Sequence, residues 1–152
     1  MKPFRFPLQA VLTLRMNQEN KALETFARAL AVFERLAAQV RTLQGEIDGV
    51  LGQRRDLLRH AAPARDVQQL QQALRGLQQN LRGYQAEMEK AKAVMDEKAQ
   101  ALAEARQKRE VVEKLEEKQM ASYEARFARA EQKSLDEFAT LKTVGNLALK
   151  WK

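Results

Sequence analysis

The chain has 152 residues, of which 31% are charged and only 6% aromatic, and its formal net charge is +7. This composition argues against a thick globular core, so a narrow and long apolar seam is expected. The absence of cysteine excludes disulfides, thiol redox chemistry and cysteine-based zinc sites. No apolar run approaches the length of a membrane span, and the first 15 residues lack a signal-peptide core. A soluble intracellular protein is therefore expected.

The first predicted helix covers residues 8–60. Residues 1–7 contain two of the three prolines and are predicted to be extended. Pro7 suits the start of a helix, where its missing N–H costs no hydrogen bond. Apolar residues then step by three and four, which is typical of a helix packed against another helix. This stripe comprises Leu23, Phe26, Leu30, Phe33, Ala37, Val40, Ile47, Leu51 and Leu58, with Gln44 and Arg54 as polar interruptions.

The third proline, Pro63, interrupts the helical pattern. Proline disfavours helical geometry in the residue before it, which is Ala62. A turn is therefore predicted over residues 61–65.

A second and longer helix is predicted over residues 66–144. Asp66 can cap its start. Gly145 and Asn146 are typical of a helix C-terminus, which leaves a tail over residues 145–152. The apolar stripe of this helix comprises Val67, Leu70, Leu74, Leu77, Leu81, Tyr84, Met88, Ala91, Met95, Leu102, Ala105, Val112, Met120, Tyr123 and Phe127.

The short turn favours antiparallel folding of the two helices. We therefore predict an all-α fold, a long antiparallel two-helix coiled-coil hairpin that forms a single domain. Residue i should lie near residue number about 126 − i on the other helix. Because the second helix is the longer one, residues 119–144 are predicted to extend past the first helix.

The predicted extension is not polar. Its apolar face comprises Met120, Tyr123, Phe127, Leu135, Phe138, Leu141 and Val144. An exposed apolar face of this size usually marks an interface. Partner binding is the favoured interpretation, and self-association or fraying of the segment is the alternative.

The residues around the predicted turn differ from the rest of the chain in two ways. Five of the six glycines fall there, and they indicate either a soft tip or a close approach of the helices. Six arginines also fall there against two aspartates. The glycines are Gly45, Gly49, Gly52, Gly76 and Gly83, and the arginines are Arg54, Arg55, Arg59, Arg65, Arg75 and Arg82.

Catalysis, cofactors and metals have little support in this sequence. A two-helix hairpin offers no deep pocket in which catalytic groups converge. The single histidine, His60, is interpreted as a solvated residue beside the turn. The sequence pI is about 9.9, but the arginines of the tip are spread over both helices with only Tyr84 to stack on bases. No enzyme activity and no nucleic-acid binding are expected.

The first residues carry a more specific signal than periodicity does. Within the string from Lys2 to Arg15, residues 4–15 have the form F-x-F-x-L-x-x-V-L-x-L-R, which resembles the opening of the flagellar export protein FliJ family. The chain length, the two-helix layout and the Glu/Lys-rich second helix are similar to that family as well. Pro3 and Pro7 depart from the family pattern. The matching positions are Phe4, Phe6, Leu8, Val11, Leu12 and Arg15.

This resemblance implies a soluble component of the flagellar type III export apparatus. Family members look like the coiled-coil part of the rotary ATPase γ subunit. They associate with the hexameric export ATPase, link it to the export gate membrane protein and are described as escorting export chaperones. The implied location is the cytoplasm, at the cytoplasmic face of the inner membrane through these partners. A self-associating structural coiled coil, or the equivalent stalk of a virulence secretion system, is the alternative.

A hypothesis for the two ends of the hairpin follows from the motif and the apolar extension. The end that carries both termini is predicted to bind the ATPase, and the arginine-rich tip is predicted to face the export gate. The predicted ATPase-binding residues are Phe4, Phe6, Leu8, Val11, Leu12, Arg15, Tyr123, Phe127 and Phe138, and the predicted gate-binding residues are Arg54, Arg55 and Arg59.

Overall fold

A computed structural model describes the backbone of residues 3–149 and the side chains of residues 3–143. Two α-helices, α1 (Gln9–Arg59) and α2 (Ala64–Leu149), make up nearly all of the described chain, which contains no strand. The helices pack against each other, which confirms the predicted all-α helical hairpin. No stretch of either helix within the described residues has the length and apolar character that a membrane crossing requires.

The chain divides into two compact units. The turn unit is Gln18–Ala105 and contains most of α1, the connection and the first part of α2. The terminal unit joins the segment that ends at Asn17 to the segment that begins at Arg106.

Contacts of α2 with the preceding part of the chain follow the predicted register in both units. In the turn unit, Arg54 Nη1 donates a hydrogen bond of 2.9 Å to Gln71 Oε1. In the terminal unit, the ring centroids of Phe4 and Tyr123 lie 5.6 Å apart. The residue numbers of these pairs sum to 125 and 127, which agrees with the expected value of about 126 for an antiparallel pair.

The apolar seam of the turn unit is centred on Val40, Leu43, Ile47 and Leu74, which are the buried side chains there. The predicted stripe on α1 differs from this seam in detail, because Leu43 lies in it and Gln44 is exposed. Apart from Gln44, the predicted stripe is buried or half-buried from Phe26 to Arg54.

Both ends of the predicted stripe on α1 are exposed, whereas the residue before each of them, Ala22 or Leu57, is half-buried. The relative exposure of Leu23 is 48% and that of Leu58 is 60%. On α2 the predicted stripe is half-buried along most of the turn unit, from Val67 to Leu102, although Tyr84 is exposed and Gln85 is half-buried instead. The helical period alone therefore predicted the interface positions to within one residue along the sequence.

The connection between the helices ends α1 by a Schellman-type turn. Ala61 has a positive φ of 47°, and the N–H of Ala62 donates a 3.0 Å hydrogen bond to the carbonyl oxygen of Leu57. This bond satisfies a carbonyl that would otherwise lack a partner at the helix end. The carbonyl oxygen of Asp56 accepts a 3.2 Å hydrogen bond from the N–H of His60, and His60 Nδ1 lies 2.7 Å from the same oxygen.

The start of α2 differs from the prediction that Asp66 caps it. The helix begins at Ala64, and the N–H of Asp66 donates a 3.0 Å hydrogen bond to the carbonyl oxygen of Pro63. Proline is compatible with a helix start because it lacks only an N–H that has no helical acceptor there. Asp66 is therefore the third residue of the helix, where its carboxylate favours the positive end of the helix dipole.

The C-terminal end of α2 also differs from the prediction. The helix continues through Gly145 and Asn146 to Leu149. A glycine ends a helix when it adopts a left-handed conformation, and no glycine among the described residues has a positive φ. The predicted tail over 145–152 is thus helical as far as Leu149, and its last three residues lie outside the described residues. The side chain of Val144 lies outside them too.

The glycines around the turn do not mark a close approach of the helices. A Cβ atom built on Gly45, Gly49, Gly52, Gly76 or Gly83 would meet no atom within 4 Å. The close-approach explanation is therefore wrong. The other explanation, a lower helical propensity that softens this part of the hairpin, stays a prediction.

Replacement of Ala61 by glycine should stabilise the hairpin by about 0.5–1 kcal/mol, because glycine adopts a positive φ without a steric penalty. The midpoint of urea unfolding followed by circular dichroism would measure the change. Ala62→Gly is the matched control, since Ala62 has no positive φ and gains nothing from glycine. An equal shift in both variants would contradict the explanation.

The double substitution Gly49→Ala and Gly76→Ala should raise the free energy of unfolding by up to about 1 kcal/mol per site, because alanine has the higher helical propensity and no neighbour obstructs its methyl group. Urea unfolding of the double and single variants measures this. Destabilisation would show that the helices approach each other more closely at these positions than the structure indicates.

Candidate functional site

The terminal unit is built around a small aromatic and aliphatic core. Phe6 and Leu12 are its buried side chains, with relative exposures of 8% and 6%. Phe4 is half-buried, and its ring is tilted by 48° against that of Tyr123. The ring of Phe127 follows at 6.3 Å from Tyr123. The N-terminal segment thus adds an aromatic contact to α2 just before the predicted extension of that helix.

Local geometry explains why Phe6 points into this core. The carbonyl oxygen of Phe6 accepts a 3.3 Å hydrogen bond from the N–H of Gln9, and the carbonyl oxygen of Leu8 accepts one of 2.9 Å from the N–H of Leu12. The chain therefore turns at Pro7 and Leu8 and enters α1 at Gln9. Phe6 directly precedes this turn, and its side chain is buried.

The structure divides the N-terminal motif into two sets. Phe6 and Leu12 are buried inside the terminal unit, whereas Leu8 and Val11 are exposed. Arg15 is half-buried and has an interaction partner. A partner protein can reach the exposed members directly, and the buried members hold the segment in place.

The seam of the terminal unit is more polar than that of the turn unit. Arg109 is half-buried and pairs with the carboxylate of Glu113, one turn later on the same helix, and with Glu110 at 3.9 Å. Glu116 and Gln119 are half-buried as well. A seam of this kind gains less from apolar burial than one filled by aliphatic side chains.

Beyond Tyr123, α2 carries an exposed apolar face. Every described side chain from Glu124 to Thr143 is exposed. The relative exposures are 63% for Leu135, 71% for Phe138 and 70% for Leu141. The predicted extension is thus present. Its face contains a shallow depression lined by Phe127, Ala130, Glu131, Ser134, Leu135 and Phe138.

The arginines near the turn differ in their surroundings. Arg54 is half-buried and donates its hydrogen bond to Gln71, whereas Arg55 and Arg59 are exposed. The sequence alone did not distinguish the half-buried arginine from the two exposed ones, because all three carry the same charge. Arg54, Arg55 and Arg59 belong to the turn unit, and the N-terminal motif belongs to the terminal unit.

Sequence reasoning missed a hollow between the two helices close to the turn. It is lined by Gln53, Asp56, Leu57, Asp66, Gln69 and Leu70. The sequence signal for this hollow is the pair Asp56 and Asp66, the only two aspartates of an arginine-rich region. Their proximity depends on the packing of the helices, which the sequence does not show. Among the residues that the structure describes, no group of three or more His, Cys, Asp or Glu side chains is placed to hold a metal ion.

Substitution of Phe6 by alanine should lower the stability of the terminal unit by roughly 3 kcal/mol, which is typical of a buried phenylalanine. Leu14, with a relative exposure of 54%, is the control, and Leu14→Ala should change stability by less than about 0.5 kcal/mol. Amide hydrogen exchange of residues 106–123 reports on this unit. Equal protection in the two variants would show that Phe6 is not part of its core.

Comparisons with known proteins identify the family of this chain. A comparison with curated proteins finds no significant match. Among solved structures, the chain is similar to CT670 from Chlamydia trachomatis, a proposed YscO homolog, with a TM-score of 0.48 and 19% identity over 91% of this chain and 94% of that chain. The family model of the flagellar FliJ protein matches residues 4–146. Since this match spans nearly the whole chain, the protein belongs to the flagellar FliJ family, whose members are non-enzymatic components of flagellar type III export.

Proposed function

We propose that this protein is the stalk and escort component of a flagellar type III export apparatus. It binds the hexameric export ATPase, connects it to the membrane export gate and accompanies export chaperones. The observation that carries this proposal is the exposed apolar face of α2 from Phe127 to Leu141 in a protein of this family. Exposure of an apolar face to water is unfavourable, so a face of this size marks a surface that a partner covers.

The ATPase contact is assigned to the terminal unit. Aromatic side chains concentrate the energy of protein interfaces, and Tyr123, Phe127 and Phe138 lie along the face of α2. Leu8 and Val11 are exposed on the N-terminal segment. Phe4 contacts Tyr123 and positions its ring. Phe6, Leu12 and Arg15 contribute to ATPase binding indirectly, because they stabilise the packing of the terminal unit.

The gate contact is assigned to the turn unit. Arg55 and Arg59 are exposed in the last turns of α1. Arginine forms bidentate hydrogen bonds with carboxylates, so an acidic segment of the export gate protein is the surface that fits them. Arg54 supports this group through its bond to Gln71. Contact with the ATPase and the gate would locate the protein at the cytoplasmic face of the inner membrane.

The family match favours flagellar export over the equivalent virulence system, because the matching model is that of the flagellar FliJ protein. A purely structural coiled coil would have no effect on an ATPase. Addition of this protein to its cognate export ATPase should therefore change ATP hydrolysis or ring assembly, and the protein alone should not hydrolyse ATP.

Phe138→Asp should weaken binding to the export ATPase by at least about tenfold, because truncation of a central aromatic contact commonly costs 2 kcal/mol or more. Val111→Asp is the matched control: Val111 also lies on α2 and has a relative exposure of 69%, close to the 71% of Phe138. Titration calorimetry gives the affinities, and circular dichroism verifies that both variants remain helical. Equal affinity of Phe138→Asp and the unchanged chain would refute the assignment.

The double substitution Arg55→Glu and Arg59→Glu should leave ATPase affinity unchanged and reduce flagellar export, because it reverses two exposed charges of the turn unit only. Secretion of a flagellar hook protein and motility in a strain complemented with the variant measure export. Loss of ATPase binding together with normal export would reverse the assignment of the two units.

A further inference from the structure

Polar and charged side chains occupy the seam positions of α2 in the terminal unit. Arg109, Glu113, Glu116 and Gln119 follow one another at steps of three and four residues, which places them on one face of the helix. All four are half-buried, whereas Glu117 between them is exposed. Partial burial of charged and amide groups costs hydration, and these side chains bury less apolar area than leucine would. This seam therefore holds the unit together only weakly.

Complete burial of apolar side chains is confined, among the described residues of this unit, to Phe6 and Leu12. Both lie in the segment that ends at Asn17. Because α1 begins at Gln9, it contributes only about two and a half turns to the terminal unit. A helical segment of this length depends on packing for its stability. Two buried side chains are thus the main apolar contribution that holds the N-terminal segment in the unit.

The ion pairs that Arg109 forms with Glu110 and Glu113 lie within α2. The pair with Glu113 spans one turn and stabilises the helix that carries both side chains. It does not require the N-terminal segment, so it is retained when that segment moves away from α2. Separation of the segment therefore does not break these ion pairs.

We infer that the terminal unit has an open form, in which the N-terminal segment of residues 3–17 leaves α2 while the turn unit stays folded. The polar seam sets the population of this form, because separation from it costs less than separation from an aliphatic seam. The open form exposes Phe6 and Leu12, and it removes Phe4 from its contact with the ring of Tyr123. The N-terminal segment is thus a strap that controls how much apolar surface the unit presents. This inference concerns the chain alone, so its test is independent of the ATPase experiments.

Because the chain contains no cysteine, a single introduced thiol can measure the open form. Leu12→Cys places the thiol at a buried position of the strap. Leu43→Cys is the matched control, since Leu43 also lies on α1 and has a relative exposure of 8%, close to the 6% of Leu12. A disulfide reagent in solution should modify Leu12→Cys at least about tenfold faster than Leu43→Cys. Equal rates would show that both sites open only when the whole chain unfolds, and would overturn the inference.

Amide hydrogen exchange of the unchanged chain gives the same comparison without a substitution at a buried position. The amides of residues 13–17 should exchange at least about tenfold faster than those of residues 40–47. Residues 9–11 are left out of the comparison, because the first N–H groups of a helix lack helical acceptors. Equal or slower exchange at residues 13–17 would overturn the inference.

Two adjacent glutamates test the role of the seam in the chain that carries Leu12→Cys. Glu116→Leu replaces a half-buried carboxylate by an apolar side chain, whereas Glu117→Leu makes the same change at an exposed position. Both variants remove one negative charge and keep nearly the same helical propensity. Glu116→Leu should slow modification of the thiol by about fivefold or more, and Glu117→Leu should change it by less than about twofold. Circular dichroism verifies that all variants are helical. Equal rates in the two variants would show that the seam does not control the opening, and would overturn the inference.

Discussion

The fold depends on one interaction, the burial of a narrow apolar stripe of α1 against a stripe of α2. Only six described apolar side chains are buried, among them Val40, Ile47 and Leu74. Each contributes about 1.5–3 kcal/mol relative to exposure, and most of the stability of helices in proteins comes from packing of an apolar face rather than from intrinsic propensity. The two helices therefore stabilise each other, and their outer faces are left to solvent and to partners. Because only a narrow stripe of each helix is buried, a chain with few aromatic residues can form this fold and still keep a large accessible surface.

The two units use this interaction to different degrees, and the difference matches their proposed roles. The seam of the turn unit is filled by aliphatic residues, whereas that of the terminal unit includes the half-buried Arg109, Glu113 and Glu116. Regions with few buried apolar contacts open more readily than the rest of a structure. The terminal unit is also the one that carries the exposed face of α2. A surface that must accept a large partner is suited to a unit that can adjust its packing.

The exposed face of α2 is the surface on which the proposed function depends. Phe127 and Phe138 lie on it and belong to the proposed ATPase contact. A partner that covers this face would remove from water an apolar surface that is exposed in the described residues.

The sequence by itself determined the elements of this protein and their pairing. The helical period and Pro63 are local signals, and the short turn leaves antiparallel packing as the simple solution, so the hairpin and its register could be predicted. The motif from Phe4 to Arg15 likewise indicated the family, because it is defined by the types of its residues, which the sequence shows directly. The apolar extension of α2 could be predicted from the unequal lengths of the two stripes.

Tertiary structure decided what depends on rotation and surroundings. Leu43 rather than Gln44 enters the seam, because the exact rotation of α1 depends on the contact with α2 along the whole helix. Phe6 is buried and Leu8 exposed because the turn at Pro7 orients the segment against α2. The helix passes Gly145 because the dihedral angle of a glycine, not its identity, ends a helix. These choices arise from packing between distant segments, which a local sequence pattern does not contain.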